Sequence, residues 1–394
     1  MTAPDRPQQT PTTADQPRSS VWGLFLGQPR ARRDHLDALD GLRGLAVWIV
    51  LLSHLSNYGV LELPGIGLSG IGKSGVYLFF VLSAFLLTRV LMDRPLAKFA
   101  DGYLWLDYAL RRVLRIWPLY LVVLLVSWWL TRTGVPGWHY VMDTATLLRH
   151  LRLQEGQSVL WSIPVEFTFY LWLPLVALAL AWVQQRRWPW VVEMLLAALA
   201  LAGASWAWPA QEATVNDVRL GPYLVIFLCG ALAARWDHRL RCAVHPSPRP
   251  AIWGVVGIAA LLACALSIPQ LWAWLAGESA DGALNHRWFV FFGLVWSLLL
   301  LAVLHGPAWL RAPFAWAPAR LLGVVSFSAY LWHMPVLDGL LRIGVGDWPG
   351  ATAVVLAAAV AVAMVSYLLL ERPWRDVRLS RCVRAQAGHS APQA

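Results

Sequence analysis

Long apolar runs separated by short polar stretches set the pattern of this chain. Ten runs are long enough to cross a bilayer as helices: residues 39–57, 75–92, 112–130, 160–182, 189–208, 220–235, 251–268, 288–305, 319–341 and 351–370, the sixth being the shortest. Residues 1–36, rich in Pro, Thr, Gln and Arg, lack an apolar core of signal-peptide length and predict a disordered cytoplasmic tail. Residues 377–394 predict a basic cytoplasmic tail too short to fold alone. The expected fold class is all-α integral membrane, with about ten transmembrane helices in one domain over residues 37–376.

Composition points the same way. With 58% hydrophobic residues, 14% charged residues and 25 tryptophans, a soluble domain would expose large apolar surfaces. The net charge of +10 lies between the apolar runs, not in a block with interleaved aromatics, which argues against a nucleic-acid partner. With the N-terminal tail assigned to the cytoplasm, 23 Lys and Arg fall on that side and 7 on the other, while Arg43 and Arg115 lie within spans. Both termini are therefore expected inside. Cys229, Cys242, Cys264 and Cys382 are widely spaced with no C-x-x-C pair, so neither a disulfide framework nor a metal site is expected.

Candidate chemistry sits where lipid would not tolerate it unpaired. The first span carries Arg43 and His54, and a separation of eleven residues closes to within roughly 20° of three full turns. Both side chains thus share one helix face, about 16 Å apart along the axis. Arg112 and Arg115 share a face at the start of the third span, where they suit a phosphorylated ligand or act as positive-inside anchors. Glu166, about one turn into the fourth span, must be paired or protonated, and it is placed to orient His54 or to pair with an arginine. His333 precedes Met334-Pro335; it is expected to bond to the backbone that the proline frees, with the His54 cavity as its other possible surrounding. Glu371-Arg372 reads as a local ion pair or helix stop. Gly67 to Ser74 matches the G-x-x-x-x-G-K-S phosphate-loop spacing, but it joins two spans with no strand before it and reads as a flexible loop.

Several motifs in order carry a resemblance. D-G-L-R with a histidine eleven residues after the arginine, F-F-V-L-S-A-F-L, R-R-V-L-R-I-W-P-L-Y, L-W-S-I-P-V-E-F-x-F-Y, S-F-S-A-Y-L-W-H-M-P and the closing E-R-P together resemble acyltransferase family 3 over residues 36–376. The resemblance implies a multi-pass O-acyltransferase in the bacterial inner membrane. Its donor would be cytoplasmic acyl-CoA, with acetyl-CoA as the expected form, and its acceptor a hydroxyl of an envelope carbohydrate or lipid-linked glycan. A small glycosylated metabolite such as a macrolide is the alternative acceptor. Carried over, Arg43 and His54 are the central catalytic pair with Glu166, and Arg112 and Arg115 hold the donor. Relatives commonly have an acid where this chain has Tyr77, and S-G-F where it has Ser83-Ala84-Phe85, so any role of that acid is absent or moved here.

A mechanism follows from these residues. A phosphopantetheine arm, on the order of 15 to 20 Å when extended, matches the rise from Arg43 to His54. CoA phosphates near Arg112, Arg115 and Arg43 would place the thioester level with His54, which is suited to take a proton from the acceptor hydroxyl. An acyl-histidine intermediate is the alternative route. The rival class is a transporter or flippase using the same buried charges as a path, but no two halves of the sequence look alike as inverted repeats.

Overall fold

The computed structural model describes residues 34–242, 250–375 and 377. Both predicted tails lie almost wholly outside these residues, as does Cys382, although the first helix already begins at Asp34. Among the described residues the chain is helical, with one isolated β-bridge between Leu63 and Ile66 in a loop.

The long helices are α1 (Asp34–Asn57), α2 (Gly72–Met92), α3 (Gly102–Arg132), α5 (Ser162–Arg186), α6 (Trp190–Ala207), α7 (Leu224–Arg241), α8 (Pro250–Leu266), α10 (Phe289–His305), α13 (Ser326–Arg342) and α14 (Ala351–Ser366). Between them lie the short helices α4 (Thr144–Leu151), α9 (Pro269–Ala276), α11 (Ala308–Ala315) and α12 (Ala317–Val324). Six of the described helices are long and apolar enough to cross a membrane, or up to nine if each sharply bent helix pair counts as one span. Their outer faces are apolar: Leu171, Leu199, Trp206 and Val255 are 74%, 68%, 85% and 67% exposed, which only a lipid environment makes tolerable. The chain is a multi-pass membrane protein.

Two differences from the predicted ten spans have physical causes. The ninth predicted span is two helices, α12 and α13, meeting at 77°, and α8–α9 and α10–α11 bend by 82° and 104°. An apolar run does not say which way its backbone turns. The sixth, α7, falls short because its C-terminal half is charged, yet Arg235 and Asp237 are buried. Partners from other helices help hold them: Glu193 of α6 pairs with Arg235 at 2.6 Å, and His305 of α10 lies 3.0 Å from Asp237, which also pairs with Arg241 of its own helix.

Helix α1 packs against α2, α10, α11, α12 and α13, and glycine permits its closest crossing. A Cβ on Gly41 would lie 1.8 Å from the Phe314 carbonyl oxygen, and one on Gly323 1.7 Å from that of Asp40. Backbone therefore meets backbone beside Arg43, which fixes the depth of α1 against α11 and α12.

Two prolines inside helices free carbonyls that tyrosines then take up. Pro174 cannot donate to Tyr170, whose carbonyl accepts from the Tyr108 hydroxyl at 3.0 Å. Pro335 likewise frees Leu331, whose carbonyl accepts from Tyr140 at 2.9 Å. His333 does not use that carbonyl: its Nδ1 lies 2.7 Å from the carbonyl oxygen of Tyr330.

Candidate active site

Three cavities line up along the α1 face that carries Arg43 and His54. The first, 190 Å³, is a mouth lined by Asp40, Arg43, Arg111, Arg112, Arg115 and Glu371, among others. Arg43 and Arg115 also line a narrow neck of 50 Å³ that contains Ser83 and Glu166. Val76 and Tyr330 are shared between the neck and a 200 Å³ vestibule lined by His54, Lys73, Ser158 and Asn216. The expected pair thus stands at the two ends of a row of adjacent cavities.

The mouth is cationic. Arg43 reaches Asp40 one turn back at 3.2 Å, and Arg111 pairs with Asp107 at 2.7 Å. Arg112 and Arg115 form no ion pair among the described residues. The buried Nε of Arg112 has no hydrogen-bond partner, its guanidinium sits 5.8 Å from the centre of the Tyr170 ring, and Arg115 is exposed. Unpaired guanidinium forks at a cavity entrance suit an anion with several oxygens.

Glu166 stands in the neck, not beside His54. One of its carboxylate oxygens accepts from Ser83 Oγ at 2.6 Å and from the Tyr170 hydroxyl, one helical turn away. Among the described residues it hydrogen-bonds neither His54 nor an arginine, the two expected partners, because the start of α5 faces Ser83 of α2. Glu371 also departs from expectation: in place of a local pair with Arg372, it accepts from the Ser328 backbone N–H at 3.1 Å and Ser328 Oγ at 2.5 Å. It caps the first turn of α13 from a distance in sequence.

At the vestibule end, no described side chain hydrogen-bonds to His54, so its ring nitrogens are open to a ligand. Its ring packs 5.1 Å from that of His333, tilted by 45°. Because His333 Nδ1 faces only carbonyls, it carries the proton, and the buried Nε2 is left without a partner. Lys73, the lysine of the phosphate-loop match, lies 2.6 Å from Asn216 Oδ1 and 4.1 Å from the centre of the Trp161 ring. With a helix beginning at Gly72, it belongs to the vestibule wall instead of a flexible loop. Tyr77 is fully buried against Tyr223, Phe289 and Phe292, and it lines none of the three cavities.

Comparison with known proteins places the chain in a family. The family model described as "acyltransferase domain" matches residues 36–369. The chain is 30% identical to Nodulation protein 10 of Rhizobium leguminosarum bv. viciae over 65% of each chain. It is 24% identical to Peptidoglycan O-acetyltransferase OatA of Listeria monocytogenes, over 61% of this chain and 39% of that protein. It is also 27% identical to BcsY of Komagataeibacter xylinus, named as a membrane-bound transacylase, over 91% of this chain and 88% of that one. It therefore spans less than two thirds of the first two relatives. No solved structure matches. The family model covers nearly all of the membrane domain, and on that ground the chain belongs to acyltransferase family 3.

Proposed function

We propose that this protein is an inner-membrane O-acyltransferase that moves an acyl group, acetyl in the simplest case, from cytoplasmic acyl-CoA to a hydroxyl of an envelope carbohydrate. The observation that carries this reading is the path from the unpaired arginines to His54 along one face of α1. Relatives named as an O-acetyltransferase of peptidoglycan and as a transacylase support the reaction class and the glycan acceptor. In this reading α7, continued from the Gly221–Tyr223 turn, is a further crossing, and both termini lie in the cytoplasm with the arginine mouth.

Arg112, Arg115 and Arg43 hold the phosphates of the donor, and its extended arm threads the neck. Glu166 shapes that neck through Ser83 and Tyr170. His54 takes the proton of the acceptor hydroxyl as its oxygen attacks the thioester carbonyl, and the carbon–sulfur bond breaks. The test is transfer of radiolabelled acetyl from acetyl-CoA to envelope glycan fragments by the purified protein, with donor binding measured on the same samples. Wild type binds and transfers, whereas His54→Ala binds without transferring. Absence of acetyl-CoA binding by the folded wild type overturns the donor assignment.

A further inference from the structure

The vestibule holds a second constellation that the path itself does not use. His139, in the loop between α3 and α4, has Nδ1 2.6 Å from Asp338 Oδ2 and Nε2 2.7 Å from Ser158 Oγ. Asp338 comes from α13, and Ser158 opens the turn before α5. A carboxylate on Nδ1 and a hydroxyl on Nε2 is the polarity in which an imidazole removes a proton from a nucleophile. Ser158 lines the same cavity as His54.

The surroundings hold this arrangement in place. Trp138 Nε1 donates to Ser127 Oγ at 2.9 Å, and Tyr140 donates to the Leu331 carbonyl that Pro335 frees, so both neighbours of His139 are anchored. Tyr58 stands near Asp338; burial, and then that carboxylate, raise the tyrosine above its ordinary value and keep it protonated. Ser158 has φ of +50°, a left-handed conformation that a serine adopts at a cost. Strain of this kind collects at reactive positions, where the surrounding structure sustains it.

We propose that Ser158, His139 and Asp338 form an acyl relay in which the serine carries the acyl group as an ester before the acceptor receives it. The relay rests on the acyl-thioester donor proposed above. Ser158 Oγ attacks the thioester carbonyl while His139 Nε2 takes the hydroxyl proton; the carbon–sulfur bond breaks and the thiolate leaves. Asp338 acts as a positioning residue, holding the imidazole and balancing its charge. The acceptor oxygen then attacks the serine ester and gives its proton to His54. The carbon–Oγ bond breaks, His139 returns its proton to Ser158, and His54 releases the other to solvent. The direct attack of the acceptor on the thioester is thereby replaced by two displacements at one carbonyl carbon.

The test uses the full chain in detergent, with a fluorophosphonate probe and radiolabelled acetyl-CoA in parallel. The probe is expected to modify Ser158 in wild type and in His54→Ala, as located by peptide mass spectrometry. His139→Gln is expected to slow labelling at least about 100-fold, at an unchanged melting temperature. Ser158→Gly suits the left-handed backbone, so it folds at least as well as wild type while losing the label. From acetyl-CoA, His54→Ala is expected to accumulate a hydroxylamine-labile acetyl group on Ser158. Probe labelling without acetyl labelling leaves the triad standing and rejects acetyl-CoA as its donor. Overturning the relay would take an unlabelled Ser158 in folded wild type, unchanged labelling in His139→Gln, or full transfer activity in Ser158→Gly.

Discussion

The two ends of the path are built on opposite plans. At the mouth, Arg112 and Arg115 project from α3 without ion pairs among the described residues, and their charge is offered to whatever enters. At the vestibule, Lys73 is held by Asn216 and Trp161, and His139 by Ser158 and Asp338, while among the described residues no side chain hydrogen-bonds to the His54 ring. The difference separates two tasks. An end that captures a diffusing polyanion gains from unsatisfied cations, whereas an end that moves protons gains from groups already held in place.

The largest expected effect lies at the vestibule. His54→Ala should lower acyl transfer by roughly 10²- to 10⁴-fold with donor affinity unchanged, as read by transfer rate and labelled-donor binding on one preparation. A matching loss of binding would erase the distinction between the ends. Next, Arg112→Ala and Arg115→Ala should each weaken donor binding by about 10- to 100-fold and leave the rate at saturating donor nearly unchanged, as measured by a kcat and KM split. Glu371→Ala removes the remote cap on α13 and should lower stability by about 1 kcal/mol, measured by thermal unfolding in detergent. Its effect on donor KM should be smaller than that of either arginine. The smallest effect is that of salt: raising it from roughly 0.05 to 0.15 M should raise donor KM several-fold in wild type and less in Arg115→Ala, with kcat unmoved.

Much of the arginine end was legible in the sequence because its geometry is local. Arg43 and His54 share a face through helical period alone, and so do Arg112 and Arg115. Glu166 was legible as a buried acid, but its partners were not, since Ser83 lies on another helix and nothing in the spacing marks it. The relay residues were more hidden. Ser158 and Asp338 stand 19 and 199 positions from His139, and each, taken alone, is an ordinary polar residue near a loop or helix end. The charged half of α7 obscured a buried helix for the same reason: Glu193 and His305, which make its charges tolerable, lie in distant segments. Period and composition report what one segment does by itself, and tertiary pairing decides the rest.

The two proline-freed carbonyls have a mechanical consequence. A proline inside a helix is a ready hinge, and a machine that carries cargo by rocking one half of its bundle against the other would keep such hinges loose. Here Tyr108 bolts the hinge at Pro174 and Tyr140 bolts the one at Pro335, each to a different part of the chain. Two of the helices flanking the reaction path, α5 and α13, are stitched to their neighbours at these points. A rigid frame of this sort favours a fixed anvil over a swinging gate.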